Sequence, residues 1–230
     1  MFLLATLFLV ATPIGNLDDF SIRATEVLRS VSYIACEDTR KSGRLLKNYQ
    51  IKARKFSFHN HNEHQKVDYL ISLLDAQQDV ALITDAGMPG ISDPGFLASR
   101  AAHQAGHRVS VIPGPDAATT ALAASGLPCD KYFFEGFLPV KKGRQTRLKF
   151  IAKIHHSVIL YESPYRLLKL LDELQTVTTN HRYIAVAREL TKKFEEIVRG
   201  PLERVQTEFR NRKSIKGEMV VIVAPEDYTE

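Results

Sequence analysis

The sequence is short of several things that would have named a chemistry at once. It has only two cysteines, Cys36 and Cys129, far apart and without metal-ligand spacing. A reducing, cytoplasmic compartment is therefore the default expectation. It has no GxxxxGK[ST] loop, and no GxGxxG follows its first strand-like run. Both absences argue against nucleotide hydrolysis and ordinary dinucleotide binding. No GxSxG elbow is present. There is no internal repeat and no low-complexity tract. No apolar run is long enough to cross a bilayer. The N-terminal MFLLATLFLVATPIG lacks the basic start of a signal peptide and reads as a first buried strand at about 7–11.

What is present is an ordinary globular balance, 44% hydrophobic and 25% charged. At 230 residues the chain can hold one large domain or two small ones. The net charge of +5 and pI of about 9.1 favour, weakly, a polyanionic partner such as RNA. Strand-like runs at 7–11, 32–36, 54–58, 80–84 and 108–112 alternate with helical periodicity; Val67, Leu70, Ile71 and Leu74 mark one apolar face. That alternation predicts a mostly parallel sheet with helices on both faces, over residues 1–115. An Ala-rich helix at 116–125 and the breaker Gly126-Leu127-Pro128 make 116–128 a connecting segment. Residues 129–230 form a second α/β domain, with strands at 132–137, 157–161, 182–187, 195–199 and 219–224. The connection between 187 and 195 is too short for a parallel crossover, so that pair is antiparallel and the second sheet mixed. Asp93-Pro94 and Ser163-Pro164 each read as a helix cap followed by the first helical residue.

The stretch VALITDAGMPGISDPG, residues 80–95, dominates the first half. A buried strand runs into a loop holding Gly87, Pro89, Gly90, Pro94 and Gly95. Glycine admits a ligand close to the backbone and proline stiffens the loop. Open α/β sheets bind ligands at such strand ends. Four further clusters lie at predicted strand ends: Thr12–Asn16, Glu37–Arg40, His59–His64 and Pro113–Asp116. Glu37, Asp38 and Arg40 read either as a helix cap with an ion pair or as charges facing a site. His59, His61 and His64 do not match HExxH, and substrate contact or a solvated helix start competes there with metal binding. No metal is expected. From 141 to 153 there are six cations, Lys141, Lys142, Arg144, Arg147, Lys149 and Lys153, and no acid. The run suits phosphate contact, against the plainer reading of a solvated helix face.

Together VATPIGNLDD, ACEDTRKSGRLL, FHNHNE, LITDAGMPGISDPG, VIPGPDAATTALAASGLP, FEGFLP, YESPYR, VARELTKKFEE and KGEMVVIV resemble the ribosomal RNA small-subunit methyltransferase I family, within the tetrapyrrole-methylase-like superfamily. The resemblance runs from about residue 7 to 224. It implies two α/β domains of the tetrapyrrole methylase type with a cleft between them, S-adenosylmethionine as methyl donor, and a homodimer. The implied reaction is 2′-O-methylation of a cytidine in the decoding region of 16S rRNA, in the small ribosomal subunit. The implied donor contacts are Pro13, the loop at Gly87, Met88 and Ile91, Asp116-Ala117, Tyr161, Ala187 and Gly217. Many members carry a further small helical domain at the C-terminus; the sequence given stops at Glu230.

An in-line displacement at a sulfonium methyl needs alignment, and a ribose hydroxyl needs a base. Glu37, Asp38 and His59 are the candidate bases. Arg40 and Arg166 suit phosphate or carboxyl contact. Lys141, Lys142, Arg144 and Arg147 are the candidate RNA contacts. Two readings from other classes stay open: a methyltransferase for an anionic tetrapyrrole, and an RNA-binding protein without activity.

Overall fold

The computed structural model describes residues 5–230. The chain divides into two compact units, Met1–Asp116 and Ala117–Glu230. The Ala-rich helix thus belongs with the second unit.

In the first unit, β1 (Thr6–Val10), β2 (Tyr33–Cys36), β3 (Arg54–Ser57), β4 (Val80–Ile83) and β5 (Arg108–Ile112) form one sheet in the order β3-β2-β4-β1-β5. Every pairing is parallel. Side chains alternate across the sheet, so each strand feeds two cores. Ala81 and Ile83 face a cluster with Leu28 of α1 (Ile22–Ser30) and Leu46 of α2 (Thr39–Asn48). Val80 and Leu82 face Leu70 and Leu74 of α3 (Glu63–Asp75) and Ala98 and Ala102 of α4 (Phe96–Gln104). The segments after β1 and β2 therefore leave toward one face, and the segment after neighbouring β4 leaves toward the other. Sheets that reverse in this way take ligands at the carboxyl ends of the strands.

In the second unit, β6 (Tyr132–Phe137), β7 (Ser157–Glu162), β8 (Tyr183–Arg188), β9 (Glu196–Pro201) and β10 (Met219–Val223) pair in the order β6-β7-β10-β8-β9. Only β6–β7 is parallel; β8–β9 is antiparallel, as its short connection predicts. One face carries α6 (Arg144–Ala152), α7 (Leu167–Val177) and α8 (Leu202–Arg210) over Leu148, Leu160, Leu170, Val186, Phe209 and Val221. The other carries α5 (Ala117–Ala124) against β7 and β10.

Two expected helix starts are corrected. Helix α4 is capped by Gly95, not Asp93, and α7 by Arg166, not Ser163. In both cases the Xaa-Pro pair sits in a turn ahead of the helix. Arg166 N–H donates to the Ser163 carbonyl at 3.0 Å, and Gly90 N–H to the Pro94 carbonyl at 3.2 Å. No helix among the described residues is long and apolar enough to cross a membrane.

Candidate functional site

The loops after β1 and β4 are tied together before they part. Thr12 N–H donates to the Gly87 carbonyl at 2.9 Å, and Gly87 N–H returns to the Thr12 carbonyl at 3.0 Å. The Thr12 hydroxyl also donates to the Thr84 carbonyl at 3.1 Å. Gly87 has φ +82, a left-handed conformation that favours glycine. Space is not what selects it, because an added Cβ would sit 3.6 Å from Ile14 Cγ2, an ordinary contact. Farther along, an added Cβ on Gly95 would lie 2.9 Å from the Gly90 nitrogen, so the loop folds closely on itself. Pro13 and Gly87 are buried, Met88 is half-buried, and Ile91 is 46% exposed at the tip.

Carboxylates collect at the same edge. Glu37 follows β2, and its Oε2 accepts from the Asp85 N–H at 3.1 Å. Asp85 follows β4 and pairs with Lys41 Nζ at 2.7 Å, which raises the lysine above its usual range. Asp85 Oδ1 is buried without a partner among the described residues. Asp93 comes back to this group from the far side of the loop. Burial, then the charges of Glu37 and Asp85, push its carboxyl up from 3.8 to about 7. Sequence reading treated Asp93 as a cap and passed over Asp85. The available signal was that Asp85, like Glu37, follows directly on a buried strand of a doubly wound sheet.

His59 follows β3 as Glu37 follows β2, and Phe58 N–H donates to the Cys36 carbonyl at 2.8 Å, which aligns the two strand ends. Its Nδ1 is buried and unpartnered among the described residues. Its backbone N–H donates to Asn62 Oδ1 at 2.8 Å, and Asn62 caps α3, so the histidine segment is also a helix start. Among the described residues no group of three or more His, Cys, Asp or Glu could hold a metal. Asp38 caps α2, accepting from Arg40 N–H at 2.8 Å and Lys41 N–H at 3.4 Å. It also binds the Arg40 guanidinium at 3.3 Å, which lowers its carboxyl below the usual range. The Arg40 side chain is 88% exposed. The buried Cys36 thiol is pushed up to about 11, so it stays protonated at neutral pH.

In the second unit, Tyr161 and Ala187 both lie opposite Val220 in register, one row across β7, β10 and β8. The Tyr161 ring takes Phe134 and Phe137 edge-on at 5.4 Å each. Gly217 precedes β10, and the Glu189 side chain fills the space a Cβ there would need. Glu189 accepts from the Glu218 N–H at 3.0 Å and from Lys192 at 3.1 Å. Asp116 is half-buried and Ala117 opens α5.

The basic stretch is corrected in one respect. Arg144 is 3% exposed and cannot meet RNA. It pairs with Glu173 at 2.7 Å and with the buried Glu162 at 3.5 Å, and donates to the Pro139 carbonyl at 3.2 Å. Arg166 completes this group through Glu162 at 2.9 Å. Arg147 forms a two-pronged pair with Glu135, with Nε–Oε1 at 2.8 Å. Lys141 and Lys142 are exposed.

Residues 6–206 match the family described as Tetrapyrrole (Corrin/Porphyrin) Methylases. The fold agrees with the methyltransferase CobJ at a TM-score of 0.72, 18% identity, covering 98% of this chain and 96% of that one. It also agrees with uroporphyrin-III-C-methyltransferase from Thermus thermophilus at 0.66 and 18%, covering 96% and 94%. These structural likenesses are of fold; the family match over residues 6–206 places the chain in the tetrapyrrole methylase class. Sequence narrows the class. The chain is 48% identical to ribosomal RNA small subunit methyltransferase I of Escherichia coli O157:H7 over 221 residues, 94% of this chain and 77% of the relative. The Synechocystis sp. protein of the same name is 46% identical over 225 residues, 96% and 80%. The chain belongs to the ribosomal RNA small subunit methyltransferase I family.

Proposed function

We propose that this chain moves a methyl group from S-adenosylmethionine to the ribose 2′-hydroxyl of a cytidine in the decoding region of 16S rRNA, with the small ribosomal subunit as substrate. The observation that carries the reading is identity of 46–48% to proteins of that name over 94–96% of the chain. We place the enzyme in the cytoplasm, where that substrate is made, and working as a homodimer.

The residues present fit a cationic sulfonium donor. Asp85 Oδ1, buried and unpartnered among the described residues, offers an acceptor for positive charge, and Ile91 on the same loop supplies exposed apolar surface. Pro13, Gly87, Met88, Ile91, Asp116, Ala117, Tyr161, Ala187 and Gly217 are the donor contacts this reading proposes. Bound there, the donor supplies a methyl on a positively charged sulfur. The chain's own task is to aim the hydroxyl and take its proton. Asp93 is the acceptor the geometry supports best. It forms no hydrogen bond among the described residues, it sits beside two further carboxylates, and its carboxyl is held at about 7. Glu37 holds the cluster through the Asp85 N–H, and His59 flanks it. Asp38 keeps the start of α2 in place and Arg40 meets a phosphate. Lys141 and Lys142 draw in the RNA backbone.

The test is labelled-methyl transfer to small subunits, followed by nucleoside analysis. One 2′-O-methylcytidine is the expected product. Transfer to a porphyrinoid instead, or donor binding without transfer to either, would overturn the reading.

A further inference from the structure

Once Arg144 and Arg147 are seen paired to glutamates, four lysines of the basic stretch are left over. Among the described residues, Lys141, Lys142, Lys149 and Lys153 form no ion pair. The exposed positions of α6 and the residue after it are Gln145, Thr146, Lys149, Phe150 and Lys153. Their three- and four-residue spacing makes one outward stripe, and it holds no acid. Leu148 and Ile151 fill the buried side.

Phe150 sits in the middle of this stripe, 43% exposed. The Arg147 guanidinium lies over its ring at 4.6 Å from the centroid, and the Phe133 ring meets it edge-on at 5.5 Å. Glu135, its side chain 7% exposed, holds the guanidinium in place through both prongs. Arg147 thus holds a planar guanidinium over an aromatic ring, with its charge already paired. Planes of this kind stack on unpaired nucleobases, while neighbouring lysines follow the backbone. A duplex offers no free base face to such a platform.

We infer that the outward face of α6 binds single-stranded RNA, one base stacking on the Phe150–Arg147 platform and Lys149 and Lys153 holding the flanking phosphates. This rests on the reading of the chain as an RNA-modifying enzyme and gives the form of RNA it takes. An anionic membrane is the less favoured partner. Phe150 is the one apolar residue of the stripe, and interfacial helices bury a broad apolar face.

The test is fluorescence anisotropy with an unstructured ten-nucleotide oligoribonucleotide and with a blunt ten-base-pair RNA duplex, at several salt concentrations. The single strand is expected to bind more tightly. Phe150→Ala should weaken single-strand binding by about fivefold to a hundredfold, the range for losing one stacked base, at an unchanged salt slope. Phe150→Tyr should restore it. Lys149→Ser with Lys153→Ser should lower the log–log slope by about 1.4, or 0.7 for each phosphate of a single strand. Circular dichroism on each variant separates lost folding from lost binding. Equal affinity for the two RNAs, an unaltered Phe150→Ala, or displacement of the oligonucleotide by phosphatidylserine vesicles would overturn the inference. Methyl transfer to small subunits is measured in parallel. Transfer with unaltered oligonucleotide binding in the variants sinks this inference alone. Intact platform behaviour without transfer sinks the proposed reaction alone.

Discussion

Replacing Asp93 by asparagine tests the carboxylate cluster twice, once through stability and once through rate. The folded protein keeps the Asp93 proton up to about 7, against an ordinary 3.8. Between those values the folded state binds one proton more than the unfolded chain. Stability contributed by this group is therefore greatest below about 4 and falls as pH rises to about 7. Above that, the native state carries an ionised, half-buried carboxylate beside Glu37 and Asp85. Carrying the group from 3.8 to about 7 corresponds to about 4 kcal/mol at 1.36 kcal/mol per tenfold change. A half-buried group keeps part of its hydration, so about 2 kcal/mol is the expected effect. Asp93→Asn, neutral at every pH, should be more stable than the parent by about that much at pH 8 and nearly equal to it at pH 4. Urea unfolding at the two pH values measures the difference. The same variant should lose its proton acceptor, and single-turnover methyl transfer should fall by about a hundredfold or more with donor affinity nearly intact. The parent's rate should climb as pH passes through about 7. A stability difference that ignores pH would refute the burial argument, and an undiminished rate would refute the assignment of the base.

Gly87→Val forces a branched residue into φ +82 and strains the Thr12–Gly87 pairing; calorimetry should show donor binding lost in a folded variant, and unchanged affinity would detach this loop from the donor. Glu37→Gln and His59→Ala should each slow single-turnover transfer while sparing donor binding, and if both match the parent the reacting atoms lie elsewhere. Arg144→Ala leaves Glu162 and Glu173 without their buried partner, so unfolding should become easier by about 3–5 kcal/mol; the salt slope of RNA binding should not move, and a flatter slope would return Arg144 to the RNA surface. Lys141→Ser with Lys142→Ser should reduce that slope by about 1.4 at constant stability; an unchanged slope would make them solvated bystanders.

Much of the architecture is local and was legible along the chain. All ten strands fall within two residues of where β-branched, apolar runs place them. The spacing of Leu167, Leu170, Leu171 and Leu174 marks the buried face of α7. The seven residues between the predicted strands at 182–187 and 195–199 were too few for a crossover, which decides an antiparallel β8–β9 pair. Helix starts were less legible, because Asp-Pro and Ser-Pro serve turns as readily as caps. Gly95 and Arg166, one or two residues on, take the cap positions instead.

What the amino-acid order determined by itself is therefore the set of elements, the parallel and mixed character of the two sheets, and the polar residues waiting at the strand ends. Tertiary structure alone decided which of those residues meet. Strand β4 inserts between β1 and β2, and only that places Asp85 against Glu37 and draws Asp93 into their field. The same holds for the cations. Along the sequence Arg144, Arg147 and Lys149 look alike, yet Glu173 and Glu135 arrive from distant segments to claim the two arginines and leave the lysine to solvent. Periodicity is set by neighbours three or four residues away, whereas the ionisation and availability of a charge are set by whatever the fold brings within a few ångströms of it.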